Sequence, residues 1–164
     1  MTAHPPSARR SAAEQRRLDA ALAELFQRLV TFNQVLGLKL VRPAPGEAPR
    51  LRFEMRPELV GHYQHGRLHG GVISATLDAM AGLAIMVALG EKHAEESAEQ
   101  VMHRFARLGT IDLRIDYLRQ GIGRHFTASA EVLRLGGRVG SVQMRLENDE
   151  GVLVATGAAS YMLS

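Results

Sequence analysis

Leu18, Leu22, Leu25, Leu29, Phe32 and Leu36 recur at steps of three and four, which predicts one amphipathic helix from Ser11 to Leu36, ended by Gly37. Leu38 to Arg42 then reads as a short strand and Pro43 to Pro49 as a turn region. Leu51, Phe53 and Met55 alternate with Arg50, Arg52, Glu54 and Arg56, a half-buried strand closed by Pro57. The glycines and histidines crowded between Gly61 and Gly71 predict a loop. Val72 to Leu89 is apolar almost all round, so a helix enclosed on most sides is expected, with the glycine pair capping its first turn. Gly90 to Leu108 is charged and helix-forming, a peripheral helix with Val101, Phe105 and Leu108 turned inward. After Gly109 the period becomes two: Ile111, Leu113, Ile115 and Tyr117 face one way. Phe126 to Leu135, Val139 to Leu146 and Val152 to Met162 follow as further strands, and the glycine-bearing turns between them suggest successive hairpins. This order implies an α+β fold, an antiparallel sheet packed on a central helix, as a single domain over residues 11–164 behind a disordered tail, residues 1–10.

Composition narrows the chemistry. A chain of 164 residues is long enough for a real core, and without cysteine it has no disulfide, thiolate metal site or cysteine nucleophile. The net charge of +3, carried largely by arginine, suits a phosphate-bearing ligand. Arginines scattered among acids, with 5% aromatic residues, argue against a nucleic-acid surface. No apolar run follows the basic start, so a secretory signal is not expected and a cytoplasmic location is. The unbroken apolar stretch Ala79 to Leu89 falls short of the ~20 residues of a membrane span.

Between Gly70 and Gly90 the one ionisable residue is Asp78. Burying a carboxylate is expensive unless it is paired or kept neutral, so two readings are open: a working carboxylate, or a structural one that faces a polar gap or caps a loop. Leu68-His69-Gly70-Gly71 leaves backbone N–H groups at a helix N-terminus, where an anion or a developing oxyanion can bind; a plain tight turn is the alternative. The seven-residue step from Gly71 to Asp78 spans roughly 10 Å of helix, so Asp78 cannot reach its own helix start. If both groups act on one carbonyl, the acid comes from a second copy, and a symmetric dimer carries two shared sites. His62, His65 and His69 are spaced like metal ligands, but Gly61, Gly66 and Gly70 interrupt any helix there and no acid lies nearby; no metal is expected.

The string from Gly66 to Gly82, with His69-Gly70-Gly71 followed by Asp78 nine positions after the histidine, resembles the signature of hotdog-fold acyl-CoA thioesterases of the phenylacetyl-CoA-thioesterase type. The similarity runs from about Asn33 to the C-terminus and includes Thr110 to Leu118, which resembles that family's third core strand. The resemblance implies a hotdog fold and cofactor-independent hydrolysis of acyl-CoA by a homodimer, with dimers that can pair into tetramers. It further implies Asp78 as general base or nucleophile, a backbone N–H of Gly70 or Gly71 on the thioester oxygen, His69 positioning the thioester or shaping the turn, and Thr110 helping to hold the attacking water. Tyr63 stands where many members carry asparagine or glutamine, so that amide's role is missing or has passed to Tyr63 or His62. Two rivals keep the fold: a hydratase or dehydratase, which would need a histidine base, and a non-catalytic acyl-CoA-binding protein, to which the Tyr63 departure points.

The residues add two expectations of their own. Arg119, Arg124 and Arg138 flank strand ends, and their planar forks suit the phosphates of coenzyme A. Small residues at Ala75, Ala79 and Gly82 leave room beside the central helix, with Met80 and Met86 as adaptable walls, which favours medium or long acyl groups.

Overall fold

Ser11 opens the first helix, α1 (Ala12–Glu24), its hydroxyl accepting from the Glu14 N–H at 3.2 Å. The computed structural model describes residues 9–42 and 47–163; the tail expected over 1–8 and the turn over 43–46 lie outside them. Arg9 and Arg10, expected in the tail, are tied down: Arg9 pairs with Glu91 at 2.6 Å, and Arg10 Nη1 donates to the Glu96 carbonyl at 3.1 Å.

The expected single helix to Leu36 is broken. Leu25–Leu29 widens into a π-helical turn, Val30 is extended at φ −81° and ψ 94°, and α2 (Thr31–Leu36) starts afresh. Two side-chain amides hold the break: the buried Asn33 Nδ2 donates to the Phe26 carbonyl at 3.1 Å, and Gln34 Nε2 donates to the Arg28 carbonyl. Gly37 ends α2 at φ 73°, a left-handed cap that costs glycine nothing. Leu18, Leu22, Phe26 and Leu36 therefore reach the core, while Leu29 and Phe32 stay 64% and 57% exposed in spite of their spacing.

Strands β1 (Lys39–Val41) and β2 (Arg50–Glu54) pair antiparallel, with Leu51 and Phe53 facing inward. The segment expected as a loop holds a small hairpin, β3 (Val60–His62) with β4 (Arg67–Leu68). It is followed by α3 (Gly70–Lys92) and by α4 (Ala98–Phe105), whose capping box is made by Ser97 and Gln100. The remaining strands are β5 (Gly109–Tyr117), β6 (His125–Leu135), β7 (Val139–Asn148) and β8 (Leu153–Met162).

Of the successive hairpins expected, β6–β7 and β7–β8 form, and the pairing of β5 with β6 does not. The six-stranded sheet runs β1-β2-β6-β7-β8-β5, so β5 crosses to the far edge and pairs with β8 instead of β6. The reason is occupancy. β6 carries β7 on one side and β2 on the other, where Phe53 pairs with Phe126 and their rings stack at 5.3 Å. β8 offers the free side.

The 23-residue α3 has the length and hydropathy of a membrane-crossing helix, yet it lies across this sheet with Asp78 in its middle. Ile73, Leu77, Met80, Leu83 and Ile85 are buried, each apolar side chain contributing about 1.5–3 kcal/mol. Met80 therefore belongs to the core and is no pocket wall; Met86, half-buried, packs against the same core. The helix is less enclosed than its composition suggests, because Ala75, Asp78, Ala79 and Gly82 remain half-exposed along one side. A long central helix wrapped by one antiparallel sheet is the hotdog arrangement.

Candidate active site

Asp78 is held by two hydroxyls. Thr110, near the start of β5, donates from Oγ1 to Asp78 Oδ1 at 2.8 Å. Tyr161, near the end of β8, lies across the sheet from Thr110 and places its hydroxyl 2.6 Å from the same oxygen and 2.7 Å from the Asp78 carbonyl. Burial, reinforced by the bond to Asp78, pushes the Tyr161 phenol above the ordinary tyrosine range, so it remains a proton donor. Both donors converge on Oδ1, and among the described residues Oδ2 makes no hydrogen bond. Asp78 is thus an anchored carboxylate with one oxygen free, on the floor of a groove with Phe26, Val30, Phe32, Asn33, Ala75, Ala79, Gly82 and Tyr161.

Tyr161 escaped sequence reasoning because it shares the inward parity of Ala155, Gly157 and Ala159 on β8 and so reads as core. The available signal was its polar tip at the end of an apolar strand face, since a buried phenol needs a partner.

At the other end of α3, His69 is the cap. Its Nδ1 accepts the Gly71 N–H at 2.8 Å, and its carbonyl accepts from Val72 at 3.0 Å. This corrects two expectations: the cap is His69, with the helix beginning at Gly70, and the Gly71 N–H is engaged. The Gly70 N–H is the one left without a partner among the described residues. Tyr117, at the end of β5, donates to the Gly70 carbonyl at 3.2 Å. Gly61 lets β3 pass close by, since a Cβ there would stand 2.6 Å from His69 Cα.

Tyr63 sits at the hairpin tip, 86% exposed, stacked on His62 with ring centroids 6.0 Å apart. His62 in turn stacks on His65 at 4.9 Å. None of these rings hydrogen-bonds to Asp78 or lines its groove. A different trio, His93, Glu95 and Glu96, has donor atoms within 4.8 Å of one another, but Arg104 already pairs with Glu96 and holds its carboxyl below the ordinary range.

The three arginines do not converge within one chain. Arg119 donates to the Leu153 carbonyl at 3.0 Å and Arg124 pairs with Asp149 at 2.7 Å, both beside the β7–β8 turn. Arg138 lies in the β6–β7 turn, where its carbonyl accepts from Leu163. An eleven-residue strand, about 35 Å long, separates the two ends. Arg138 is at the Tyr161 and Asp78 end; the other two are at the Gly70 and Tyr117 end.

The fold is that of a hydrolase family: residues 65–155 match the Thioesterase superfamily, and the chain belongs to it. Among curated proteins it is 39% identical to the medium/long-chain acyl-CoA thioesterase YigI of Escherichia coli K12, over 87% of this chain and 91% of that one. A crystal structure from Shewanella oneidensis, related to the thioesterase superfamily, superposes with a TM-score of 0.86 at 35% identity, covering 94% of this chain and all of that one. A Bacillus halodurans protein crystallised with CoA shares the fold at 17% identity, with a TM-score of 0.65 over 94% and 95% of the two chains.

Proposed function

We propose that this protein hydrolyses medium- or long-chain acyl-CoA in the cytoplasm, with Asp78 as the general base or nucleophile. The observation that carries this reading is the Asp78 carboxylate itself, fixed through Oδ1 by Thr110 and Tyr161 and open at Oδ2. A base needs a defined orientation and a free lone pair, and this geometry supplies both. The relationship to YigI supports the substrate class. Tyr161 acts as a positioning residue, and Thr110 shares that task.

The thioester oxygen would be held by the N–H of Gly70, because His69 has taken that of Gly71. The carbonyl carbon would then be attacked by water that Asp78 deprotonates, or by Asp78 Oδ2 to give an anhydride that water opens; in both, CoA leaves as the thiol.

The geometry of β5 supports a shared site. Thr110 marks its Asp78 end and Tyr117 its Gly70 end. It is an edge strand that leaves Ile111 59% and Tyr117 55% exposed, an edge that sheet proteins cover. Antiparallel pairing of two β5 strands about a two-fold axis would bring each Asp78 to the other copy's Gly70, and would also bring Arg138 of one copy towards Arg119 and Arg124 of the other. Thiol release from a series of acyl-CoA substrates, with light scattering for the dimer, tests the reading. Mixing two inactive variants, Asp78→Asn and Gly70→Pro, should restore activity, because a mixed dimer keeps one intact shared site. Activity that stays absent in verified mixed dimers would refute the sharing.

A further inference from the structure

The groove beside Asp78 is walled on one side by chain that the family match leaves out. Phe26, Val30, Phe32 and Asn33 all precede residue 65, while Ala75, Ala79 and Gly82 of α3 form the opposite wall. The groove measures about 260 Å³, just below the range of complete small-molecule sites, which suits an alkyl chain and is too small for a complete acyl-CoA. Its lining is apolar apart from Asp78, the Tyr161 hydroxyl and Asn33, whose amide is already donated to Phe26. The wall exists because the N-terminal helix breaks: the π-helical turn at Leu25–Leu29 and the extended Val30 reset the helix direction ahead of Phe32. Such turns recur at functional sites, and this one is secured by the buried Asn33.

We propose that this groove holds the substrate's acyl chain, and that Val30 and Phe32 on the broken N-terminal helix set the acyl length the enzyme accepts. The proposal rests on the thioesterase reading and extends it. A carbonyl within reach of Asp78 Oδ2 would send its alkyl tail along Ala75, Ala79 and Gly82, where the facing side chains are Val30 and Phe32. Residues that precede the family match would then tune specificity, while Asp78 and Thr110 within it serve the chemistry.

The chain has no tryptophan, so Phe32→Trp introduces a single fluorescent reporter. In an Asp78→Asn background, which prevents turnover, its emission should shift to the blue and saturate with dodecanoyl-CoA, but not with CoA alone. Separately, Val30→Trp narrows the groove and should lower the ratio of kcat/KM for dodecanoyl-CoA over butanoyl-CoA at least tenfold. Val35→Trp, exposed and outside the groove, should leave that ratio as it is. An emission already blue and insensitive to dodecanoyl-CoA would mean that a second copy covers Phe32, and would overturn the proposal. So would an unchanged ratio in folded Val30→Trp. If calorimetry shows dodecanoyl-CoA binding and the parent hydrolyses it while the Phe32→Trp signal stays still, this proposal alone fails. If the parent neither binds nor hydrolyses any acyl-CoA, the thioesterase reading fails and this one with it.

Discussion

The Tyr161 hydroxyl lies 2.6 Å from Asp78 Oδ1, joining the last strand of the sheet to the middle of the central helix. A hydrogen bond to a charged group contributes about 1.5–3 kcal/mol, and here Thr110 supplies a second one to the same oxygen. Tyr161→Phe should therefore lower kcat by about 10-fold while KM moves less, since it removes the hydroxyl that orients the carboxylate and keeps the ring that lines the groove. Tyr161→Phe combined with Thr110→Val should cost more than the product of the single losses, because each hydroxyl covers for the other. Steady-state thiol release on the three variants reads this directly. Equal falls in kcat and stability with no kcat-against-KM split would mean a merely structural contact.

The same phenol gives a pH dependence of stability. Its proton is held above the ordinary tyrosine value of about 10, first by burial and then by Asp78. The unfolded chain loses that proton near the ordinary value and the folded chain keeps it. The contribution is thus complete below about pH 10 and is lost as pH rises through the folded value. Denaturant midpoints measured above pH 10 should fall more steeply for the parent than for Tyr161→Phe, and parallel slopes would count against the burial of this proton.

Gly70→Pro tests the oxyanion contact with little disturbance. Residue 70 is the first of α3, where proline is tolerated, and His69 at ψ 136° already has the extended backbone that proline requires of its predecessor. A Cβ at 70 would stand 3.4 Å from Tyr117, an ordinary contact. The change removes one N–H, so kcat should drop by on the order of 10²–10³-fold, with Gly70→Ala, which keeps the N–H, far more active. Similar activities for the two would exclude this N–H from the reaction.

Thr76 offers a stability test away from the site. It is fully buried in α3, and its hydroxyl has no hydrogen-bond partner among the described residues. Thr76→Val keeps the shape and removes the orphaned group, so it should stabilise the fold by about 1 kcal/mol in chemical denaturation. A loss of stability would reveal a partner for that hydroxyl, such as a bound water.

Much of this architecture was legible in local patterns. The alternation of Leu51 with Phe53, the apolar run after Gly71 and the period-two segments after Gly109 each gave the right element, because one buried face imposes its own spacing. The pairing of β5 with β8 was not legible, since sheet order depends on which edges are already occupied by distant strands. Nor was the break at Val30: Leu29 and Phe32 keep helical spacing, and the break is held by a local side-chain contact that spacing does not show, the buried Asn33 amide on the Phe26 carbonyl. For the site, Asp78 stood out because a lone acid in an apolar helix is physically conspicuous. Tyr161 did not, because an aromatic residue on the inward face of a strand looks like packing. The role expected of the Gly70-Gly71 pair was divided by the His69 side chain, whose hydrogen-bonding choice no spacing rule reveals.

The proposed hydrolysis depends on the Asp78 carboxylate, and the most direct measurement is thiol release from dodecanoyl-CoA by Asp78→Asn beside the parent. The asparagine keeps the shape and can still accept from Thr110 and Tyr161, but it can be neither base nor nucleophile. With fold and dimer intact by circular dichroism and light scattering, kcat should fall by on the order of 10²-fold or more, and substrate binding should survive. Hydrolysis by Asp78→Asn at close to the parent rate would contradict the mechanism and leave the aspartate a structural residue.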